Sequence, residues 1–389
     1  MSYLLYGLFS LLFFPLLYLA LLFGGMWGWA YVLGFIAIYL VGDNVLPKSD
    51  GKVSGRIGSL FDTLLVAHIP LSFIALLLLF WQIEPRNEML LGCVQFFSNS
   101  LNLPLQASQQ NSLFELIGLV MACGFMFGHN TAVAHEIMHR QTRGLFEASR
   151  LLFSMCGDAQ VVISHIHSHH ANVATELDPT SARRGDSIYK HFIRALFGQY
   201  RDSWKFEVAR LKRHSIFGKL IKNQVINGLL MTIFWLALTA LFVSPLAMLA
   251  WLVIMFIAKW LLESINYVQH YGLIRIPGSK IEPRHSWETR SLGSRIGLYN
   301  ATCHGGHHVN GTIPFWQLYN DNKTLCLKHG YMFAIALSLF PPLWFRYIAP
   351  MLKQWDQSLA SKEELDALCI QGHLKRTPVE NEQNLNFGN

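Results

Sequence analysis

The sequence predicts an all-α membrane protein: a bundle of six transmembrane helices with a histidine-rich cap on one face. Three observations predict it. Of 389 residues, 52% are hydrophobic and only 14% charged, against about 25% charged in soluble globular chains. The apolar residues gather in runs that approach or exceed the roughly 20 residues a bilayer span needs. Nine of the 17 histidines fall into four clusters at or just beyond the ends of apolar runs.

The spans follow in order. The first forty-two residues contain no Asp, Glu, Lys or Arg. That stretch is too long and too uncharged for a cleaved leader and lacks a basic n-region. It reads as two spans, 3–22 and 28–45, hinged at Gly24-Gly25. Two more fall at 63–83 and 116–134. The uncharged run 223–258 is too long for one helix and holds Ser244-Pro245 at its middle, so it reads as a hairpin of 223–243 and 246–266. Lys and Arg mark the cytoplasmic side. The 84–115 loop holds one and 43–62 three, whereas 140–222 holds fourteen and the chain after 264 twelve. Both termini and the segments 135–222 and 267–389 are therefore expected in the cytoplasm, as in a bacterial inner membrane protein.

The net charge of +7 suits anionic headgroups and an acidic partner; no aromatic-interleaved basic motif argues for nucleic acid. Helical patches are expected around 144–164 and 187–213, with a turn at Thr175–Pro179 between them. The apolar stretch 331–350, broken by Pro341-Pro342, reads as interfacial or re-entrant, and the polar tail from about 360 as loosely ordered. With no internal repeat, 1–389 reads as a single functional domain. The six cysteines form no C-x-x-C pair, which argues against a disulfide framework or an internal iron–sulfur module. Electrons for any redox chemistry must then come from a separate protein.

The clusters are His135-Glu-Ile-Met-His139, His165-Ile-His-Ser-His169-His170, Asn266-Tyr-Val-Gln-His270-Tyr-Gly272 and His304-Gly-Gly-His307-His308. Neutral imidazole is the commonest protein ligand for transition metals. On a helix, side chains at i and i+4 share a face, so His135 and His139 point together. His165 and His169 repeat that spacing, with His170 one step around. His304, His307 and His308 follow i, i+3, i+4, and His270 adds a ninth. Nine imidazoles are too many for one metal ion; shared by two they give about four or five each and leave positions open. The first cluster also fits the zinc-protease pattern H-E-x-x-H, but such a site needs only one further ligand. Five other histidines are lone: His68, His191, His214, His329 and His373 read as structural or surface residues, while His129 and His167 are turned away from the clustered faces. Three carboxylates lie near. Glu136 is in the first cluster, and Asp178 or Glu263 could accept a hydrogen bond from a metal-binding imidazole. The alternatives are a turn cap for Asp178 and an ion pair with Lys259 for Glu263.

Together these motifs resemble the integral-membrane alkane 1-monooxygenase (alkane hydroxylase) family, within the fatty-acid desaturase/hydroxylase superfamily. His135–Arg140 is similar to that family's H-E-x-x-H-K box, His165–Thr175 to its E-H-N-x-G-H-H box with the following V-A-T, and Asn266–Gly272 to its N-Y-x-E-H-Y-G signature. Arg284-His-Ser-Trp287 resembles its H-H-S-W. The resemblance implies a pair of nonhaem iron ions, O2 as co-substrate, an apolar alkane or acyl substrate drawn from membrane lipids, and a rubredoxin- or ferredoxin-like electron donor with its reductase. Three departures stand out. The last box, usually H-S-D-H-H-A, reads His304-Gly-Gly-His-His-Val309. Gln269 replaces a Glu, and Ser164 precedes His165 where a Glu is usual. The implied reaction is hydroxylation of the terminal carbon of an alkane or alkyl chain. Lipid desaturation or hydroxylation and alkyl-aromatic methyl oxidation are close alternatives; a membrane metal-binding or transport protein is the alternative of another class.

Overall fold

A computed structural model describes residues 3–48, 58–100, 111–320 and 325–374. Among these the only regular elements are helices, apart from one isolated bridge between Glu288 and Cys326. In chain order they are α1 (Tyr3–Phe23), α2 (Trp27–Val45), α3 (Gly58–Ile83), α4 (Glu88–Ser100), α5 (Leu113–Met138), α6 (Arg143–Met155), α7 (Val161–Ser164), α8 (His170–Asn172), α9 (Ile188–Arg210), α10 (Ile216–Lys222), α11 (Gln224–Phe242) and α12 (Pro245–His270). The last five are α13 (Leu292–Gly297), α14 (His304–Val309), α15 (Tyr331–Ser338), α16 (Pro341–Ser358) and α17 (Lys362–Ile370). Six helices are long and apolar enough to cross a membrane: α1, α2, α3, α5, α11 and α12. They coincide with the six expected runs, and the Ser244-Pro245 break does separate α11 from α12. Ser244 caps α12 through the Ala247 amide, and Pro245 takes the first helical position, where its missing N–H costs nothing.

The helices alternate in direction and leave one end of the bundle under the cap. Tyr6, near the start of α1, donates to Asn300 at 2.7 Å. Asp43, near the end of α2, accepts from the amide and hydroxyl of Ser294, both at 2.6 Å. At the centre, α5 and α12 run parallel because glycines on α5 admit branched side chains of α12. A Cβ on Gly124 would lie 2.6 Å from Ile257, and one on Gly128 would lie 2.4 Å from Leu261. Small residues permit such close approach between membrane helices. Gly28 on α2 is tighter still, since its Cβ would meet the Leu119 backbone nitrogen at 2.4 Å. Backbone cannot rotate away, so Gly28→Ala is expected to cost about 1–3 kcal/mol by overpacking. Gly34→Ala, with nothing within 4 Å, is the control and is expected to leave the thermal midpoint in detergent unchanged or slightly raised.

Three regions differ from the sequence reading. The 84–115 loop contains α4. The Pro341-Pro342 pair opens a helix rather than only ending one: α15 stops at Ser338 and both prolines sit in the first turn of α16. The chain beyond 360 is not loose through Leu374. Ser361 and Glu364 form a capping box that starts α17, and Glu364 also pairs with Arg284 and, at 3.0 Å, with His285. Hydropathy alone could not reveal those long-range partners. Residues 375–389, with Lys52 and Arg56 of the 43–62 loop, lie outside the described residues.

Candidate metal centre

Two spans deliver the first histidines. Helix α5 carries His135 in its last turn and ends at His139. Helix α12 ends at His270, whose Nδ1 lies 3.3 Å from the His285 carbonyl. The Arg284–Trp287 motif fixes that end: the Trp287 indole donates to the Tyr271 carbonyl at 2.8 Å, and its amide donates to Gln269 at 2.7 Å. The second cluster is not a plain α-turn. His165–His169 forms a π-turn, in which the His170 amide reaches back five residues to the His165 carbonyl. Such single-turn π-bulges occur mostly at functional sites. His304, His307 and His308 lie on the short helix α14.

All nine histidines converge, and eight of them separate into two groups of four whose candidate ligand atoms lie within 4.8 Å of one another. One group is His135, His139, His165 and His307; the other is His169, His270, His304 and His308. His170 sits at the seam. Its Nε2 is 3.0 Å from His165 Nε2, and its ring packs on His139, His307 and His308 at 4.6–4.9 Å. His165 and His169 do face each other, with ring centroids 4.9 Å apart, and the π-turn brings His170 to 4.7 Å from His165; His165 and His169 nevertheless fall in different groups. Likewise His307 parts from His304 and His308.

The site fits metal ions on two counts. His139, His169 and His307 each bury an Nε2 with no hydrogen-bond partner among the described residues, which is costly unless something accepts the lone pair. Four Nε2 pairs also face each other at close range: 135–165, 165–170 and 304–308 at 3.0 Å, and 270–304 at 3.1 Å. Such facing nitrogens are what a shared metal ion would join.

Burial first, and then mutual repulsion, holds His139, His165, His170, His304, His307 and His308 below the usual imidazole range. They are therefore neutral, as metal binding requires. The sign for stability follows. With folded pKa values depressed, the unfolded chain binds more protons below about pH 6.5, so the metal-free protein is expected to lose stability as pH falls through that value. Bound metal should shift the loss to lower pH. Thermal unfolding at several pH values, with and without chelator, checks it.

The carboxylates divide. Asp178 faces His169 Nδ1 at 2.7 Å and accepts from the Ser181 and Thr180 hydroxyls at 2.6 and 2.7 Å. Burial pushes its carboxyl up, but His169 and these hydroxyls outweigh that and hold it below the usual range. Glu136 instead accepts from the Phe315 amide at 2.9 Å and pairs with Arg140 at 2.8 Å, tying α5 to the loop after α14. Glu263 reaches none of the nine histidines. It is 2.8 Å from Lys259, which is equally close to Asp158; two turns before His270, it meets Gln199 and His191 of α9 instead. The supporting residue missed in the sequence is Glu288. It accepts from the Gly305 amide at 3.0 Å and from Asn320 at 2.5 Å, and burial pushes it up to about 7. The first glycine of the altered box has a reason: a Cβ at Gly305 would lie 2.5 Å from the Pro283 carbonyl. In the same box His304 Nδ1 and His308 Nδ1 lack a partner among the described residues. Gln269 donates to the Ala301 carbonyl at 2.9 Å, bracing the turn before His304.

The excluded histidines lie elsewhere. His167 stacks on Phe206 with ring centroids 3.9 Å apart, and His129 faces the Tyr39 hydroxyl at 3.2 Å. A small cavity touches His135, His165 and His169 and is walled by Met138, Phe153 and Leu262. A second small cavity lies deeper among α2, α5 and α12 and is lined by Phe35, Phe125 and Leu261.

A six-span helical bundle with paired histidine sets at one end is the architecture of an integral-membrane metalloprotein. The chain belongs to the fatty acid desaturase family, whose model matches residues 111–334. It is 30% identical over 247 residues to alkane 1-monooxygenase 1 of Alcanivorax borkumensis, covering 62% of this chain and 60% of that protein. It is 28% identical over 275 residues to an alkane 1-monooxygenase of Pseudomonas putida, covering 69% and 68%. The xylene/toluene monooxygenase hydroxylase component XylM of Pseudomonas putida is 30% identical over 351 residues, covering 88% and 87%.

Proposed function

We propose that the two histidine sets hold two nonhaem iron ions, and that the chain is a membrane monooxygenase hydroxylating the terminal carbon of an alkane or alkyl chain. The observation that carries this reading is the pair of four-histidine groups at the end of the spans, beside a small cavity that also meets Met138, Phe153 and Leu262. No side chain can break an unactivated C–H bond, so the bound iron supplies that chemistry with O2. The chain's own residues do the rest. Asp178 orients His169, Glu288 braces the backbone beside His304, and Met138, Phe153 and Leu262 exclude water and accept an apolar chain. The absence of any C-x-x-C pair supports electron supply by a separate rubredoxin- or ferredoxin-like protein and its reductase. The Lys and Arg asymmetry supports a cytoplasmic metal site in a bacterial inner membrane, and the shared core supports one functional domain.

The breadth of the XylM match favours a second reading, oxidation of a methyl group on an aromatic ring. Membranes containing the protein, supplied with O2 and a reductase–donor pair, are to be incubated separately with octane and with toluene. Terminal alcohol from octane supports the first reading; benzyl alcohol alone supports the second. Iron without either product would redirect the search to acyl lipids. Loosely held, exchangeable metal without oxygen consumption would contradict both and favour a metal-binding protein.

A further inference from the structure

Helix α9 carries an apolar stripe that the fold does not cover. Tyr189, Ile193, Phe197, Trp204 and Val208 recur at steps of four or seven residues and are all exposed, Phe197 by 68%. The opposite face, with His191, Ala195, Gln199 and Ser203, is buried. Helix α10 repeats the pattern, with Ile216 exposed by 80% beside exposed Phe217, Leu220 and Ile221. So much contiguous apolar surface outside the six spans marks an interaction site.

Charge and continuity identify the occupant. Residues 183–222 contain eleven Lys and Arg against three acids, and all three acids are already paired with Lys190, Arg194, Arg201 or Arg210. The stripe also joins the surface of the spans. Phe192 packs on Phe256 and Trp260 of α12 at 5.8 and 4.9 Å. Exposed large apolar residues run along α12 from Leu246 to Phe256 and then stop, so the lipid-facing surface of α12 ends where α9 begins. A single residue, Asn223, separates α10 from the span α11. Midway along α9 an open groove combines apolar Leu177, Ile193 and Phe197 with Glu176, Arg183, Arg194 and Arg201, of which Arg194 and Arg201 are paired with Asp186 and Asp202.

We propose that α9 and α10 form an in-plane anchor lying in the headgroup layer on the metal-site side of the bilayer. The apolar stripe is submerged beneath the headgroups, and the guanidinium groups of the groove take the phosphates of anionic phospholipids. Amphipathic helices with basic flanks bind membranes in this way, and juxtamembrane Lys and Arg each add attraction to an anionic surface. The anchor fixes the depth of the cap, because α9 packs directly on the α7 and π-turn segment that carries His165 and His169.

The test uses the full chain in nanodiscs of phosphatidylcholine, alone or mixed with phosphatidylglycerol. Spin labels are placed at Phe197→Cys and Phe217→Cys, with Cys93, Cys326 and Cys369 changed to Ser. Leu230→Cys on α11 is the lipid-facing reference, and Glu363→Cys on α17 the water-facing one. Both test labels are expected to collide with oxygen and to lose collisions with a water-soluble nickel complex, like the reference at 230. The double variant Arg183→Gln, Arg201→Gln is expected to lose the enrichment of phosphatidylglycerol among co-purified lipids. Nickel access equal to that at 363 would overturn the proposal. Protection from both agents would also overturn it, since a second copy or a protein partner would then cover the stripe. If either labelled variant fails to fold, Ile193→Cys and Leu220→Cys read the same faces.

Discussion

His307→Ala is expected to remove metal from the first histidine group and to abolish turnover. The ring presents a buried, unpartnered Nε2 and packs between His139 and His170 at 4.5 and 4.9 Å, so no neighbouring side chain can take its place. The loss should exceed the roughly 10–100-fold that follows from damaging an outer partner. It should also be confined to that group, leaving about one metal ion per chain, because His169, His270, His304 and His308 keep their own set. His167→Ala is the matched control. That ring only stacks on Phe206, and its removal should leave the metal count unchanged. Metal analysis of both purified variants, with oxygen consumption beside it, checks the pair.

Asp178→Asn is expected to lower metal affinity or activity by about 10–100-fold while the protein still folds. The carboxylate is the acceptor that holds His169 in one tautomer, with Nδ1 outward and Nε2 free for metal. An amide keeps the shape and can still cap the turn through Thr180, but it removes the charge that makes the imidazole a stronger donor. Asp178→Ala should lose more, since Ser181 and Thr180 would lose their acceptor as well. If the metal content and affinity of Asp178→Asn equalled those of the unaltered protein, Asp178 would be a turn cap and nothing more.

The six spans were legible because long apolar runs with few or no charges are a strong signal in any chain, and the Ser244-Pro245 break carries its own cap chemistry. The nine clustered histidines were legible because their spacing repeats. Their division into two groups was not, for it joins residues of four separate segments, and nothing in His165–His170 distinguishes a π-turn from an α-turn. Glu288 was invisible for another reason: it meets Gly305 and Asn320 across 17 and 32 residues of sequence, and no local pattern announces such a contact. Of the two roles the sequence left open for Glu263, the structure shows the ion pair with Lys259: Lys259, Gln199 and Asn266 hold its carboxylate in a separate buried network. The Gly305 substitution in the last box becomes intelligible only once Pro283 is seen against it.

The most direct test is X-ray absorption at the metal edge of the purified protein, combined with metal analysis per chain. The account expects about two iron ions, each surrounded by imidazole nitrogens at about 2.1 Å in a five- or six-coordinate shell. Zinc in a four-coordinate shell, or less than one metal per chain in active preparations, would contradict it.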